Sequence, residues 1–145
     1  MIRGSITHPY IIGALAAAGH KARILITDAH YSASTNVNPA AQVVHLNLRP
    51  GLPTVTDVLD ALAQTIAIEH ATVIRATHDA RPCVVQDELR ERLSDLPDGT
   101  VVVEEIERAD FYDRSRSHEL ALCIVTGDTR RFGNVLLTVG VLRTD

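Results

Sequence analysis

Apolar residues recur along this chain with two alternating periods, and the alternation predicts its elements. Ile11, Ile12 and Leu15 form a stripe at helical spacing, with Pro9 at the first helical position and Gly19 as terminator, so residues 9–18 read as a short amphipathic helix. The run Arg23-Ile24-Leu25-Ile26-Thr27 reads as a strand, and residues 42–46 as a second, shorter one. Between them, residues 29–41 are small and polar and predict a loop, in the place beyond a strand's carboxyl end where α/β proteins put ligands.

Arg49-Pro50-Gly51-Leu52-Pro53 marks a turn, after which Thr54 and Asp57 form a capping-box pattern. Val55, Val58, Leu59, Leu62 and Ile66 give the helix that follows one apolar face. A strand is predicted over 71–76, a loop over 77–82, and a helix over about 84–96 with Val85, Leu89, Leu93 and Leu96 inward. Beyond the turn Pro97-Asp98-Gly99, Val101-Val102-Val103 is the clearest β-run. Residues 107–118 predict a charged helix, and 121–126 and 135–139 the last two strands, joined by the loop from Gly127 to Asn134. Helices and strands in alternation argue an α/β sheet covered on both faces.

A length of 145 residues suits one domain, spanning 1–145, with a single sizeable core. Hydrophobic content of 46% leaves apolar surface for oligomeric interfaces. A net charge of −4 gives no electrostatic footprint for nucleic acid, so no nucleic-acid partner is expected. The two cysteines, Cys83 and Cys123, lack CxxC spacing and read as reduced thiols, which suits a cytoplasmic protein. No apolar stretch reaches the ~20 residues of a membrane span. The run Tyr10 to Ala18 resembles a secretory leader only faintly, because His8-Pro9 interrupts it, and the helix is the better reading.

Candidate chemistry concentrates around the first strand. Gly19-His20 precedes it and Asp28-Ala29-His30 follows it. Histidine has the unperturbed pKa nearest neutrality and so gives and takes protons at working pH, while a carboxylate orients an imidazole or grips a hydroxyl. Eight mostly extended residues at about 3.3 Å each separate His20 from Asp28 by as much as ~26 Å. If both act in one reaction, their site is built between subunits.

Each of these groups also has a plainer reading. His20 would serve as a positive group at a helix C-terminus, Asp28-Ala29-His30 as turn chemistry, and Arg108 and Arg114 as a solvated helix face. Tyr112 would be half-buried packing and Asn134 a loop closure. The residues taken singly leave both readings open. Seven histidines invite a metal site, yet no pair has HxxxH or HExxH spacing, and among the candidate ligands His20, Asp28, His30, His45 and His78 only Asp28-x-His30 is a close pair. GxGxxG, GxxxxGK[ST] and GxSxG are all absent, so neither a nucleotide nor a serine nucleophile is indicated. No cofactor and no metal are expected.

Four blocks taken in order resemble the D-ribose pyranase / L-fucose mutarotase family. They are Gly19-His20; Asp28-Ala29-His30; Arg108-Ala109-Asp110-Phe111-Tyr112-Asp113-Arg114; and Ile124-Val125-Thr126-Gly127 with Phe132-Gly133-Asn134-Val135-Leu136-Leu137 and Gly140-Val141. The resemblance implies a single-domain three-layer α/β/α sandwich, and a homo-oligomer compatible with a decamer, with sites at subunit contacts. It implies an isomerase: an aldose mutarotase interconverting the anomers of a free monosaccharide by general acid/base ring opening and closure. His20 would be the catalytic acid/base, with Tyr112 a candidate for the second proton. Asp28, His30, Arg108, Phe132, Gly133 and Asn134 would bind substrate, the 132–134 segment through backbone and amide groups.

Histidine after Asp28-Ala29, arginine at 108 and the Phe-Tyr-acidic-Arg run resemble the L-fucose branch more than the ribose branch, so L-fucose is the expected sugar, with ribose pyranose–furanose exchange the other candidate. Two departures bear on specificity. Phe132 stands where the family pattern has tyrosine, removing a substrate-facing hydroxyl, and Ser32 stands where a proline is usual, which predicts a looser loop after Asp28. The rival reading from another class is a non-catalytic monosaccharide-binding module associated with sugar transport.

Overall fold

The computed structural model describes residues 1–144. Its elements are α1 (Pro9–Ala17), β1 (Arg23–Thr27), β2 (Gln42–His45), α2 (Val55–Ala63), β3 (Ile68–Ile74), α3 (Val84–Ser94), β4 (Val103–Ile106), α4 (Arg108–Ser115), β5 (Leu120–Val125) and β6 (Val135–Val139). The six strands form one sheet in the order β2-β5-β1-β6-β3-β4. Five of them run parallel, and β6, between β1 and β3, is antiparallel to both.

Strand periodicity of two splits each strand's side chains between the sheet's faces. Ile24, Ile26, Leu122, Ile124, Val135, Leu137 and Val139 face one side and pack with Ile11 and Leu15 of α1, Leu59 and Leu62 of α2, and Leu89 and Leu93 of α3. Leu25, Cys123 and Leu136 face the other side, under Phe111 of α4 and Tyr31, Ala33 and Val37 of the long loop after β1. The chain is therefore three layers, as expected, with a helix and a loop sharing the second cover.

Local chemistry explains the element ends. His8 caps α1, its Nδ1 accepting from the Ile11 N–H (3.4 Å). Thr54 and Asp57 form the expected capping box at α2, each side chain accepting the other's backbone N–H (3.1 and 2.9 Å). The α1 terminus differs from expectation: the helix stops at Ala18 in extended conformation, and the left-handed residue is Lys21 (φ 75°) rather than Gly19. The fourth strand is also displaced. Val101 is buried but donates its N–H to Leu93, in the loop leaving α3. Pairing with β3, Ala71 opposite Val103 through Ile74 opposite Ile106, instead makes a strand of Val103-Glu104-Glu105-Ile106. Acidic side chains are in place on such a sheet edge.

Ser32 also departs from expectation. Its carbonyl accepts from the N–H groups of Thr35 (3.1 Å) and Asn36 (2.9 Å), so it starts a hydrogen-bonded turn that tightens the loop.

Candidate active site

Loops leaving the carboxyl ends of β1, β3, β4 and β5 meet at one end of the sheet. The β5–β6 connection, residues 126–134, must pass over the end of β1, because β1 lies between the two strands it joins. Gly127 lets the 49–52 turn pack directly against this connection. A Cβ there would fall 2.6 Å from the Arg49 carbonyl oxygen and nearer still to that of Leu52, so no side chain fits. Thr126 Oγ donates to the Thr27 carbonyl (2.7 Å), and the Ala29 N–H donates to the Asp128 carbonyl (2.8 Å), lashing the two loops together. Buried Asp128 in turn accepts from the N–H groups of Val55 (3.1 Å) and Arg130 (3.0 Å) and from the Arg130 guanidinium.

A cavity of about 160 Å³ lies at this crossing, lined by Asp28, His30, Tyr31, Ile74, Arg108, Tyr112, Arg131, Phe132 and Asn134. Pockets for drug-sized molecules run to roughly 300–1,000 Å³, so this one suits a single small polar ligand. Asp28, 2% exposed, is its buried acid. One carboxylate oxygen accepts from the His30 N–H (2.9 Å), the other from the Gly133 N–H (3.2 Å), and its own N–H donates to Asn134 Oδ1 (2.9 Å). Burial pushes the carboxyl above its usual range, and the backbone donors of His30 and Gly133 work against that rise. Asn134, using its oxygen on Asp28, retains its NH2 as a donor at the pocket wall. His30 Nε2 meets the Thr129 carbonyl at 2.9 Å and must donate to it, which leaves Nδ1 as the ring's acceptor when neutral.

The opposite wall is aromatic and cationic. Tyr112 of α4 stands edge-on to Tyr31 (ring centroids 5.6 Å apart), and Tyr31 edge-on to Phe111 (6.2 Å). Burial keeps the Tyr31 phenol neutral by raising its pKa, and its hydroxyl donates to the Asn36 carbonyl (2.8 Å). Phe132 carries two guanidinium contacts, Arg108 at 5.7 Å and Arg131 at 5.4 Å from its ring centre. Its backbone is left-handed (φ 64°), a conformation non-glycine residues adopt at a cost of roughly 1–2 kcal/mol. The buried Gln86 side chain on α3 holds it there, donating to the carbonyls of Phe132 (3.1 Å) and Ile74 (2.7 Å).

Seven of the eight expected site residues thus meet at this end of one protomer: Asp28, His30, Arg108, Tyr112, Phe132, Gly133 and Asn134. The 132–134 segment commits much of its backbone and amide chemistry to fixing Asp28. Arg114 belongs to the surface, paired with Glu104 at 2.9 Å. His20 stands apart, exposed at the opposite end of β1, five strand residues or roughly 16 Å of strand length away. It does not cap α1, and its Nε2 lies 2.9 Å from Glu69 Oε2. Sequence reasoning missed Tyr31, Ile74, Arg131, Gln86 and Glu69. Only Gln86 had a legible signal: it stands at helical spacing with Leu89 and Leu93, a polar residue on an apolar face.

Among the described residues no helix is long and apolar enough to cross a membrane, and no three His, Cys, Asp or Glu side chains form a group that could hold a metal ion.

Comparison with known proteins agrees with the fold. The D-ribose pyranase of Streptomyces avermitilis is 33% identical over 141 residues, 97% of this chain and 98% of that protein. The L-fucose mutarotase of Glaesserella parasuis is 26% identical over 140 residues, covering 92% and 89%. The structure of Bacillus subtilis RbsD complexed with D-ribose superposes with a TM-score of 0.82 at 25% identity, covering 99% of this chain and all of that one. The similar curated proteins are mostly D-ribose pyranases, so the expected leaning toward the L-fucose branch is not supported. That leaning rested on short blocks around 28–30 and 108–114, whereas over nearly the whole chain identity reaches 33% with a pyranase and 26% with the mutarotase. The RbsD / FucU transport protein family matches residues 1–142, and the chain belongs to it.

Proposed function

We propose that this protein is an aldose mutarotase that interconverts the cyclic forms of a free monosaccharide in the cytoplasm, at sites completed between protomers of a homo-oligomer. The observation carrying this reading is the split in the candidate groups. A small pocket holds a buried, fully oriented carboxylate beside guanidinium, imidazole, phenol and amide groups, while His20 is exposed at the far end of the same strand.

Ring opening breaks the bond between the anomeric carbon and the ring oxygen. The ring oxygen gains a proton, the anomeric hydroxyl loses one, and the anomeric carbon becomes a carbonyl. Rotation about the adjacent carbon–carbon bond and reclosure on the other face reverse both transfers. Positioned acid/base groups suffice for this chemistry. In this reading His20 of a neighbouring protomer moves the proton at the ring. Asp28 and Arg108 hold sugar hydroxyls by charge-assisted bonds, with the Asn134 NH2 reading a further hydroxyl. Tyr112 and His30 Nδ1 stand on the pocket wall as candidates for the second proton. D-ribose and L-fucose are the two sugars to compare, since relatives are named for each.

Saturation-transfer NMR on ribose and fucose separates exchange from mere binding. Wild-type protein should accelerate exchange between anomer signals, whereas His20→Ala and Asp28→Asn should each bind sugar weakly or not at all and leave exchange at its uncatalysed rate. Co-assembly of these two variants should restore activity in roughly a quarter of the sites, those taking His20 from one subunit and Asp28 from the other. Binding without acceleration would mark a sugar-binding module instead, and no restoration on mixing would refute the shared site.

A further inference from the structure

We infer that Glu69 is a positioning residue for His20, fixing its imidazole as the Nε2–H tautomer so that Nδ1 is the nitrogen that exchanges protons with the sugar. This deepens the mutarotase reading and rests on His20 being its acid/base.

The placement follows from the reversed strand. β6 separates β1 from β3 and ends at Val139, so the segment entering β1 and the start of β3 face one another across that end. The Lys21 N–H donates to the Val139 carbonyl (3.0 Å), the Val139 N–H to the Ala22 carbonyl (2.9 Å), and the Gly140 N–H to the Ala67 carbonyl (2.9 Å). His20 and Glu69 are therefore carried on backbone that is hydrogen-bonded on both sides, although both side chains reach solvent.

The carboxylate has two occupants. Oε1 bonds the Lys21 ammonium and Oε2 faces His20 Nε2 at 2.9 Å. Lys21 first, and His20 second, hold the Glu69 carboxyl below the ordinary carboxylate range, so it is ionised at neutral pH and has no proton to offer. The hydrogen in the His20–Glu69 contact accordingly sits on Nε2. In the neutral ring Nδ1 then carries the lone pair, and in the charged ring Nδ1–H is the proton free to leave. A histidine's working nitrogen is set by the bond its other nitrogen makes. Lys21 adopts its left-handed backbone (φ 75°) at this place, and its ammonium occupies the oxygen that His20 does not use. No proton passes to Glu69 at any step.

The test uses the assembled full-length protein, labelled with 15N. In wild-type protein the ring shifts of neutral His20 should report a protonated Nε2 and an unprotonated Nδ1. Glu69→Ala should move both nitrogens toward tautomer-averaged values and lower kcat for anomer exchange by roughly 10–100-fold, the size of loss seen when the carboxylate partner of a metal-bound histidine is removed. KM should stay within about twofold, because Glu69 does not touch the sugar. Glu69→Gln keeps an oxygen that accepts from Nε2–H and should recover the tautomer and most of the rate. Glu69→Ala with the wild-type tautomer and an unchanged kcat would overturn the inference. So would a Gln variant as slow as the Ala variant while both keep the wild-type ring shifts. If His20→Ala exchanges anomers as fast as wild type, the acid/base reading itself falls. If His20→Ala is inactive while Glu69→Ala is not, only the role of Glu69 falls.

Discussion

Replacing Gln86 by leucine tests whether the pocket's strained wall is held from below. Gln86 is 2% exposed and its amide donates two hydrogen bonds, to the carbonyls of Ile74 (2.7 Å) and Phe132 (3.1 Å). Each such bond contributes about 1 kcal/mol net, and a buried carbonyl left without its donor costs a further ~1 kcal/mol or more. Leucine fills similar volume, so little cavity penalty is added. The expected destabilisation is about 4 kcal/mol, or roughly 13 °C in Tm for a chain of this length. A second effect falls on the pocket. Phe132 occupies its left-handed conformation (φ 64°) against a cost of roughly 1–2 kcal/mol, and Gln86 is one of the contacts opposing that cost.

Without this tether the ratio of molecules with Gly133 and Asn134 placed on Asp28 to those without should fall about tenfold, since 1.4 kcal/mol is a factor of ten, and the apparent sugar affinity should fall with the competent fraction. Calorimetry gives Tm, and titration of D-ribose or L-fucose followed by NMR gives the affinity. A variant within 2 °C of wild type, or one that loses stability but binds sugar as before, would refute the coupling between α3 and the Phe132 backbone.

Asp28→Asn should show a pH signature in stability as well as a loss of exchange. Burial raises the Asp28 pKa in the folded protein, so between the unfolded and folded values the native state holds the extra proton and wild type loses stability as pH rises. The stability of the asparagine variant relative to wild type should therefore increase as pH climbs from about 4 and level off once folded Asp28 is ionised. A relative stability that falls over this range, measured by paired denaturation curves, would mean that the hydrogen bonds outweigh burial. Gly127→Ala should cost about 3 kcal/mol, the upper end for overpacking, because the groups its Cβ would strike are the backbone carbonyls of Arg49 and Leu52. A urea midpoint shifted by less than ~1 kcal/mol at unchanged slope would show that the 49–53 turn gives way.

Periodicity made the covered α/β sheet legible because burial writes it locally. The stripe Val55, Val58, Leu59, Leu62 and the alternation through Ile24, Leu25 and Ile26 report which side of each element meets the core. Strand order is not local. Nothing in residues 135–139 marks β6 as reversed and central, since its neighbours β1 and β3 are chosen by long-range pairing. The same limit displaced β4, where partner register outranked the propensity of three valines. Asp28, Arg108 and Asn134 were singled out by the resemblance and not by the residues taken singly, and the use of Gly133 and Asn134 to fix Asp28 depends on a loop crossing that only the sheet order dictates.

That reversed strand also bears on why the candidate groups divide between two ends. Because β6 runs against β1, its beginning receives the 126–134 loop beside Asp28, and its end receives the segment carrying His20 beside Glu69. A five-residue strand is rigid, so no loop motion within one protomer closes roughly 16 Å of β1 to bring imidazole and carboxylate to one sugar. Two arrangements remain: His20 is idle, or a second copy presents it. The second requires that neighbouring copies bring unlike ends of β1 together, a contact between different surfaces on the two subunits. Such heterologous contacts close into rings when their rotation allows. The complementation of His20→Ala by Asp28→Asn decides between the two arrangements, because an idle His20 leaves the His20→Ala variant active before any mixing.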